Sequence, residues 1–290
     1  VWGIAPLYWS IFAEFDLFFK VACRVVFSAI FGIICLGLTK NINALKEAFL
    51  DRKRIKYIAL SSLCIGANWL VIVWGYSNGH VVDVSLGNYI TPIAISVFSI
   101  FIFKDKADAL QIASMCVALA GTVISVIAYG SFSYVGILVM ASFTAYTFFK
   151  KKACTEGLVA TTLETGLLTP FALAYMLIFG RGEGGIGSVH SVWAALLLIS
   201  TGVFTATPFI FYAAGVNNLS ALLVGLAGMF TPTVTLLTGV LLLGEELDTA
   251  TLIDLICILL AIALFIWSMI RKNKCTQAQS KGGNQYASIL

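Results

Sequence analysis

The sequence is poor in charge, in histidine and in proline. Charged residues make up 11% of it, where a soluble domain carries about a quarter. That shortage excludes a soluble globular enzyme, a disordered chain and a nucleic-acid binder built on a basic surface. It has two histidines. No HExxH, Walker lysine or Ser/His/Asp arrangement appears, so no catalytic residue, metal or cofactor is expected. The seven cysteines are Cys23, Cys35, Cys64, Cys116, Cys154, Cys257 and Cys275. None forms a close pair and most lie in apolar runs, which argues against a disulfide framework or a zinc site. What the chain has in excess is apolar residues, 60% of 290. With a mean hydropathy of +0.97 it reads as a polytopic membrane protein in contact with lipid.

A helix crossing the bilayer needs about 20 mostly apolar residues, and backbone polar groups cannot stay unpaired in lipid. Ten apolar runs answer to this: Val1–Phe12, Leu17–Leu38, Tyr57–Tyr76, Val81–Phe103, Ala109–Ala128, Phe132–Phe149, Leu158–Phe179, Val192–Val216, Leu219–Leu243 and Leu252–Ile270. The first is too short to span and residue 1 is not Met, so the numbering is expected to start inside the first helix. The fold class expected is all-α, with ten transmembrane helices.

The lysines and arginines are placed unevenly. The loop after the second span holds Lys40, Lys46, Arg52, Lys53, Arg54 and Lys56. Later loops on the same side hold Lys104, Lys106, Lys150, Lys151 and Lys152, and the tail holds Arg271, Lys272, Lys274 and Lys281. The opposite loops hold only Arg181. The positive-inside rule then predicts both termini in the cytoplasm, in a multi-pass protein of the cytoplasmic membrane. These basic runs read as topology signals and not as nucleic-acid patches. Residues 271–290 are polar and read as a disordered tail.

An offset of 140 residues aligns Asn78–Pro92 with Asn218–Pro232, with identities at Asn78/Asn218, Val84/Val224, Leu86/Leu226, Thr91/Thr231 and Pro92/Pro232. The following loop carries Lys104 and Lys106 in the first copy and no lysine in the second. An inverted second half requires that loss. The expected domains are residues 1–130 and 131–270, two five-helix repeats of opposite orientation. Such repeats place a solute site near the bilayer midplane, often where helices are interrupted. The candidate breaks and hinges are Pro92, Pro208 and Pro232, although a proline in a membrane helix is often only a tolerated kink.

Ionisable groups inside spans are costly and face a cavity or a partner. Arg24 and Glu164 are repeat-equivalent and are expected to charge opposite ends of a central cavity. Asp83 could neutralise Arg24, and Asp254 has no obvious partner. The solute-contacting set is completed by Asn68, Trp69, Trp74, Asn88, Tyr89, Tyr146 and Thr207, an aromatic wall with amides and hydroxyls suited to a small organic solute. The plainer reading places such charges at interfaces and Asn68 in a bond between helices. His80 reads as a solvated loop residue. Gly182–Gly187 fits G-x-G-x-x-G but follows a membrane span, so it is no dinucleotide loop.

At these residues the chain resembles the RarD branch of the EamA permeases, in the drug/metabolite transporter superfamily. The matching stretches are Trp2–Trp9, Arg24, Gly66–Trp74, Asn78–His80, Ser85–Pro92, Lys150–Lys152, Leu163–Thr165, Thr205–Pro208, Pro232-Thr233 and Gly244-Glu245. The resemblance implies an inverted five-plus-five fold and a permease role. Phe19, Cys23, Thr91 and Gly228-Met229 depart from the family pattern near the presumed cavity. The expected protein is an alternating-access permease for a small metabolite or drug, acting as a monomer or homodimer, with proton coupling through Glu164 as an added hypothesis. A membrane enzyme on lipid-linked substrates and a non-transporting scaffold or sensor stay open as alternatives.

Overall fold

A computed structural model describes residues 8, 11, 14–129, 134–243 and 249–287. The predicted first span, Val1–Phe12, lies almost wholly outside them. The helices are α1 (Leu17–Leu38), α2 (Ile42–Leu50), α3 (Arg52–Ser77), α4 (Val81–Ile102), α5 (Ala109–Tyr129), α6 (Tyr134–Ala153), α7 (Gly157–Ile178), α8 (Val192–Asn218), α9 (Ala221–Gly228), α10 (Phe230–Leu243) and α11 (Thr249–Ala287). One 3₁₀ turn, Ile186–Ser188, precedes α8. The described residues contain no strand.

Seven of these helices are long and apolar enough to cross a membrane. They are α1, α3, α4, α5, α7, α8 and the Leu252–Arg271 stretch of α11. α6 ends in three lysines and falls outside that set. The predicted ninth span is two shorter helices, α9 and α10. One helix was not foreseen: α2 lies between α1 and α3, with Ile42, Phe49 and Leu50 exposed.

Local chemistry sets the helix ends. Asp16 accepts from the Phe19 N–H and starts α1. Asp51 accepts from the N–H groups of Lys53 and Arg54 and starts α3. α1 stops in a Schellman turn: Lys40 takes φ +55° and Asn41 N–H returns to the Leu36 carbonyl. The prolines behave differently from expectation. α4 and α8 run unbroken through Pro92 and Pro208, as α7 does through Pro170. Pro232 is the third residue of α10, in the first turn, where a missing N–H costs nothing. The break is at Met229, between Gly228 and Phe230. α11 continues as helix to Ala287, where composition predicted a structureless tail. No proline interrupts that stretch, and each added residue gains a hydrogen bond on a helix already nucleated.

The helix ends gather into two groups. At one end Asn41 donates to Glu156, Asn217 donates to the Thr155 carbonyl, and Lys151 reaches the Leu219 carbonyl at 2.6 Å. This is the basic end. At the other, the Asp16 N–H meets the Gly184 carbonyl and Tyr175 donates to the Asp16 carboxylate.

Candidate functional site

Glu164 lies two turns into α7 from the basic end, and 2% of it is exposed. A buried carboxylate needs donors, and three converge on it. The Ser61 hydroxyl on α3 donates to Oε1 at 2.7 Å. Lys150 Nζ on α6 donates to Oε2 at 2.6 Å, and the Tyr146 hydroxyl reaches the same oxygen at 3.4 Å. Ser62 also donates to the Glu164 backbone carbonyl, at 2.7 Å. α3, α6 and α7 are thus fastened together around one ion pair.

Lys150 was expected to be a solvated topology signal. It is instead buried, with 2% exposed. The spacing holds the clue: Tyr146 and Lys150 are four apart on α6 and share a face. The Lys150 ammonium stands 5.0 Å from the Tyr146 ring centre.

An aromatic ladder leads away from that pair. Tyr146 meets Phe209 edge to face at 5.8 Å, and Phe209 meets Trp69 edge to face at 5.6 Å. The Arg24 guanidinium lies 4.2 Å over the Trp69 ring. Tyr212 stacks beside Tyr146 at 6.2 Å and exchanges a 2.6 Å hydrogen bond with Thr147. Such pairs favour these offset and edge-on geometries because ring faces are negative and edges positive. Arg24 and Glu164, assigned to opposite ends of one site, are joined by this wall. Its residues come from α1, α3, α6, α7 and α8.

Other expected members lie elsewhere. Asn68 donates to the Val139 carbonyl and to Ser142, both at 3.0 Å, and ties α3 to α6. Trp74 is 39% exposed at the far end of α3 and stacks on His80 at 5.6 Å. Asn88 is exposed, and Tyr89 packs against a separate aliphatic core. Thr207 is half-buried on α8, two residues before Phe209. Asp83 pairs with His80 at 2.8 Å and not with Arg24. Asp254 meets the Thr122 hydroxyl at 3.5 Å, across the α5–α11 seam.

The second core lies on α4, α5, α9 and α11. Its buried members include Ile93, Met115, Leu226, Met229, Ile258 and Phe265. α9 crosses α4 closely. A Cβ on Gly225 would fall 2.7 Å from the Pro92 carbonyl oxygen and against Ser96, and one on Gly228 would touch the Pro92 ring at 3.4 Å. The two segments aligned by the 140-residue offset therefore meet at Pro92.

Two open hollows lie off the ladder. One, of about 440 Å³, is lined by Ile42, Asn43, Leu45, Lys46 and Phe49 of the α2 helix and by Leu163. The other, of about 200 Å³, includes Phe19, Cys23 and Leu198. The described residues hold no cluster of His, Cys, Asp and Glu arranged for a metal ion.

Seven helices long and apolar enough to cross a membrane, packed around a charged and aromatic wall, define a multi-pass membrane protein. The EamA-like transporter family profile matches residues 1–127 and again residues 131–267. The chain belongs to that family. It is 31% identical to the uncharacterized transporter YojE of Bacillus subtilis, over 96% of this chain and 94% of that one. It is 30% identical to an uncharacterized transporter of Pseudomonas aeruginosa, over 94% and 92% of the two chains. Protein RarD of Escherichia coli is 25% identical over 95% and 93%. A solved crystal structure superposes with a TM-score of 0.68 over 93% of this chain and 94% of that one. At 16% identity this likeness shows a shared fold.

Proposed function

We propose that the protein is a permease that moves a small organic solute across the cytoplasmic membrane by alternating access, as a monomer or homodimer. The ladder from Arg24 to the Lys150–Glu164 pair carries this reading. It places one buried and one partly buried cationic group and one buried carboxylate around aromatic surface, within a fold of the transporter family. Intramembrane charges of this kind mark solute and ion pathways. The two successive family matches support a repeated architecture, and the lysine-free second copy of the loop supports its inversion. The lysine-rich loops gathered at the basic end support a cytoplasmic location for that end.

The test uses full-length protein in liposomes loaded with a bacterial metabolite extract and given a pH gradient, read by mass spectrometry. At least one compound moves with wild-type protein, and Trp69→Ala slows it by about tenfold or more, since the ring holds both Arg24 and Phe209. A compound that moves equally well with Trp69→Ala and Arg24→Ala removes the ladder from the pathway. Proton coupling through Glu164 predicts that Glu164→Gln abolishes the effect of the gradient, and transport unchanged at every pH refutes it.

A further inference from the structure

The two members of the buried ion pair are held unequally. Glu164 has two hydroxyl donors, Ser61 at 2.7 Å and Tyr146 at 3.4 Å, besides Lys150. Its backbone is fixed as well, through Ser62. Lys150 has one carboxylate oxygen and the face of the Tyr146 ring. An ammonium carries three N–H donors. If the two separate, Glu164 keeps hydroxyl partners and Lys150 keeps only an aromatic face. Lys150 is also the movable one. Its flexible four-carbon stem springs from the last turn of α6, which ends at Ala153.

A buried pair adds little net stability, because desolvating two charges offsets most of their attraction. A movement of α6 away from α7 would strand the ammonium unless another anion replaced Glu164. Alternating access requires an opening at each end in turn.

We propose that Lys150 is an anion-exchange group within the permease site. The acid group of the solute takes the place of Glu164 on the Lys150 ammonium, while Ser61 and Tyr146 retain the released carboxylate. The solute class is an organic acid with a flat aromatic or apolar body. The ring under Lys150 continues into Tyr212, Phe209 and Trp69, and a flat body lies against those faces. This proposal rests on the permease reading above.

The experiment is equilibrium binding to the full chain in lipid nanodiscs, with two matched probe pairs: phenylacetate against phenylacetamide, and indole-3-acetate against indole-3-acetamide. Wild-type protein binds each acid about tenfold or more tighter than its amide, the scale of one charge-assisted hydrogen bond. Glu164→Gln binds the acids tighter still, because no carboxylate competes for Lys150. Lys150→Arg keeps the preference. The double variant Lys150→Met/Glu164→Gln leaves no orphan charge, and in it acid and amide bind alike. Three results overturn the proposal: an acid preference that survives the double variant, Glu164→Gln weakening the acids as much as the double variant does, or no wild-type binding of either acid. The permease reading is separate from these outcomes. It fails when no compound from the metabolite extract moves, and it survives any of the three results above so long as some compound moves with wild-type protein, in which case the Lys150 proposal falls alone.

Discussion

The seam of α4, α5, α9 and α11 and the cluster of α1, α3, α6, α7 and α8 are both buried, but with different side chains. The first packs Ile93, Met115, Leu226, Met229, Ile258 and Phe265, with Ser114 and Thr122 bonded to helix carbonyls. The second packs Trp69, Tyr146 and Phe209 with Arg24, Lys150 and Glu164. An aliphatic seam in lipid gains from close contact alone, since the bilayer is as apolar as leucine. A charged seam must satisfy each charge from within, a cost the aliphatic seam meets at Asp254, where the Thr122 hydroxyl faces the carboxylate, and the ladder meets at Arg24, Lys150 and Glu164. The first region is therefore built to hold helices together. The second holds charged groups that packing does not need, and the proposed solute site accounts for their cost.

Variants can break this comparison, and the largest effect is expected in the charged cluster. Lys150→Met alone leaves Glu164 buried without its cation and destabilises the protein by about 3–5 kcal/mol. Lys150→Met/Glu164→Gln recovers most of that loss, measured by thermal unfolding in detergent. If the double variant is as unstable as the single, the pair is a structural fastener and the contrast between the regions fails.

A somewhat smaller effect belongs to the aliphatic seam. Leu226→Ala opens a cavity beside Met229 and Phe265 and costs about 2–5 kcal/mol. Solute selectivity among the compounds transported stays unchanged, which sharpens the division between holding and binding. A changed solute profile in Leu226→Ala would assign the seam to the pathway.

The smallest effect lies outside both regions, at Asp51. Two backbone N–H groups, Arg54 first and Lys53 second, hold its carboxyl below the ordinary carboxylate range. Its folded pKa is lower than its unfolded one, so its contribution is full above the usual value near 4 and fades as pH falls through the folded value. Asp51→Asn keeps the helix cap and removes the charge. Its melting-temperature deficit against wild type is full at pH 7, shrinks below about pH 4 and disappears once pH has fallen through the folded value. A deficit equal at pH 3 and pH 7 would mean the charge plays no part.

The parts of the site legible in the sequence were those whose presence in lipid is costly. Arg24, Glu164, Tyr146 and Trp69 stood out because charged or amphipathic groups in an apolar span require a reason. Lys150 did not stand out, because the positive-inside rule already accounts for a lysine at a helix end. Phe209 and Tyr212 were hidden among other apolar residues of α8. A span apolar on all sides gives no rotational phase, so Trp74, Asn88 and Tyr89 could not be separated from the residues facing the wall. The helical class followed from composition. The interruption at Met229 did not, because the visible prolines Pro92 and Pro208 lie inside helices that run on through them, while the break falls at a residue that is not a proline.

That interruption bears on how the chain enters the membrane. α9 has 8 residues and rises about 12 Å, and α10 has 14 and rises about 21 Å. Neither alone matches a hydrocarbon core about 30 Å thick. End to end the two rise about 33 Å, so they are expected to enter the bilayer together as one interrupted span. The surface that receives the bend is α4, where Pro92 fits against Gly225 and Gly228. α4 is synthesised long before α9, so the seat is in the bilayer when its occupant arrives. A larger residue at Gly225 would act at that moment of biogenesis, and its signature would be low yield of inserted protein and not a defect in transport per molecule.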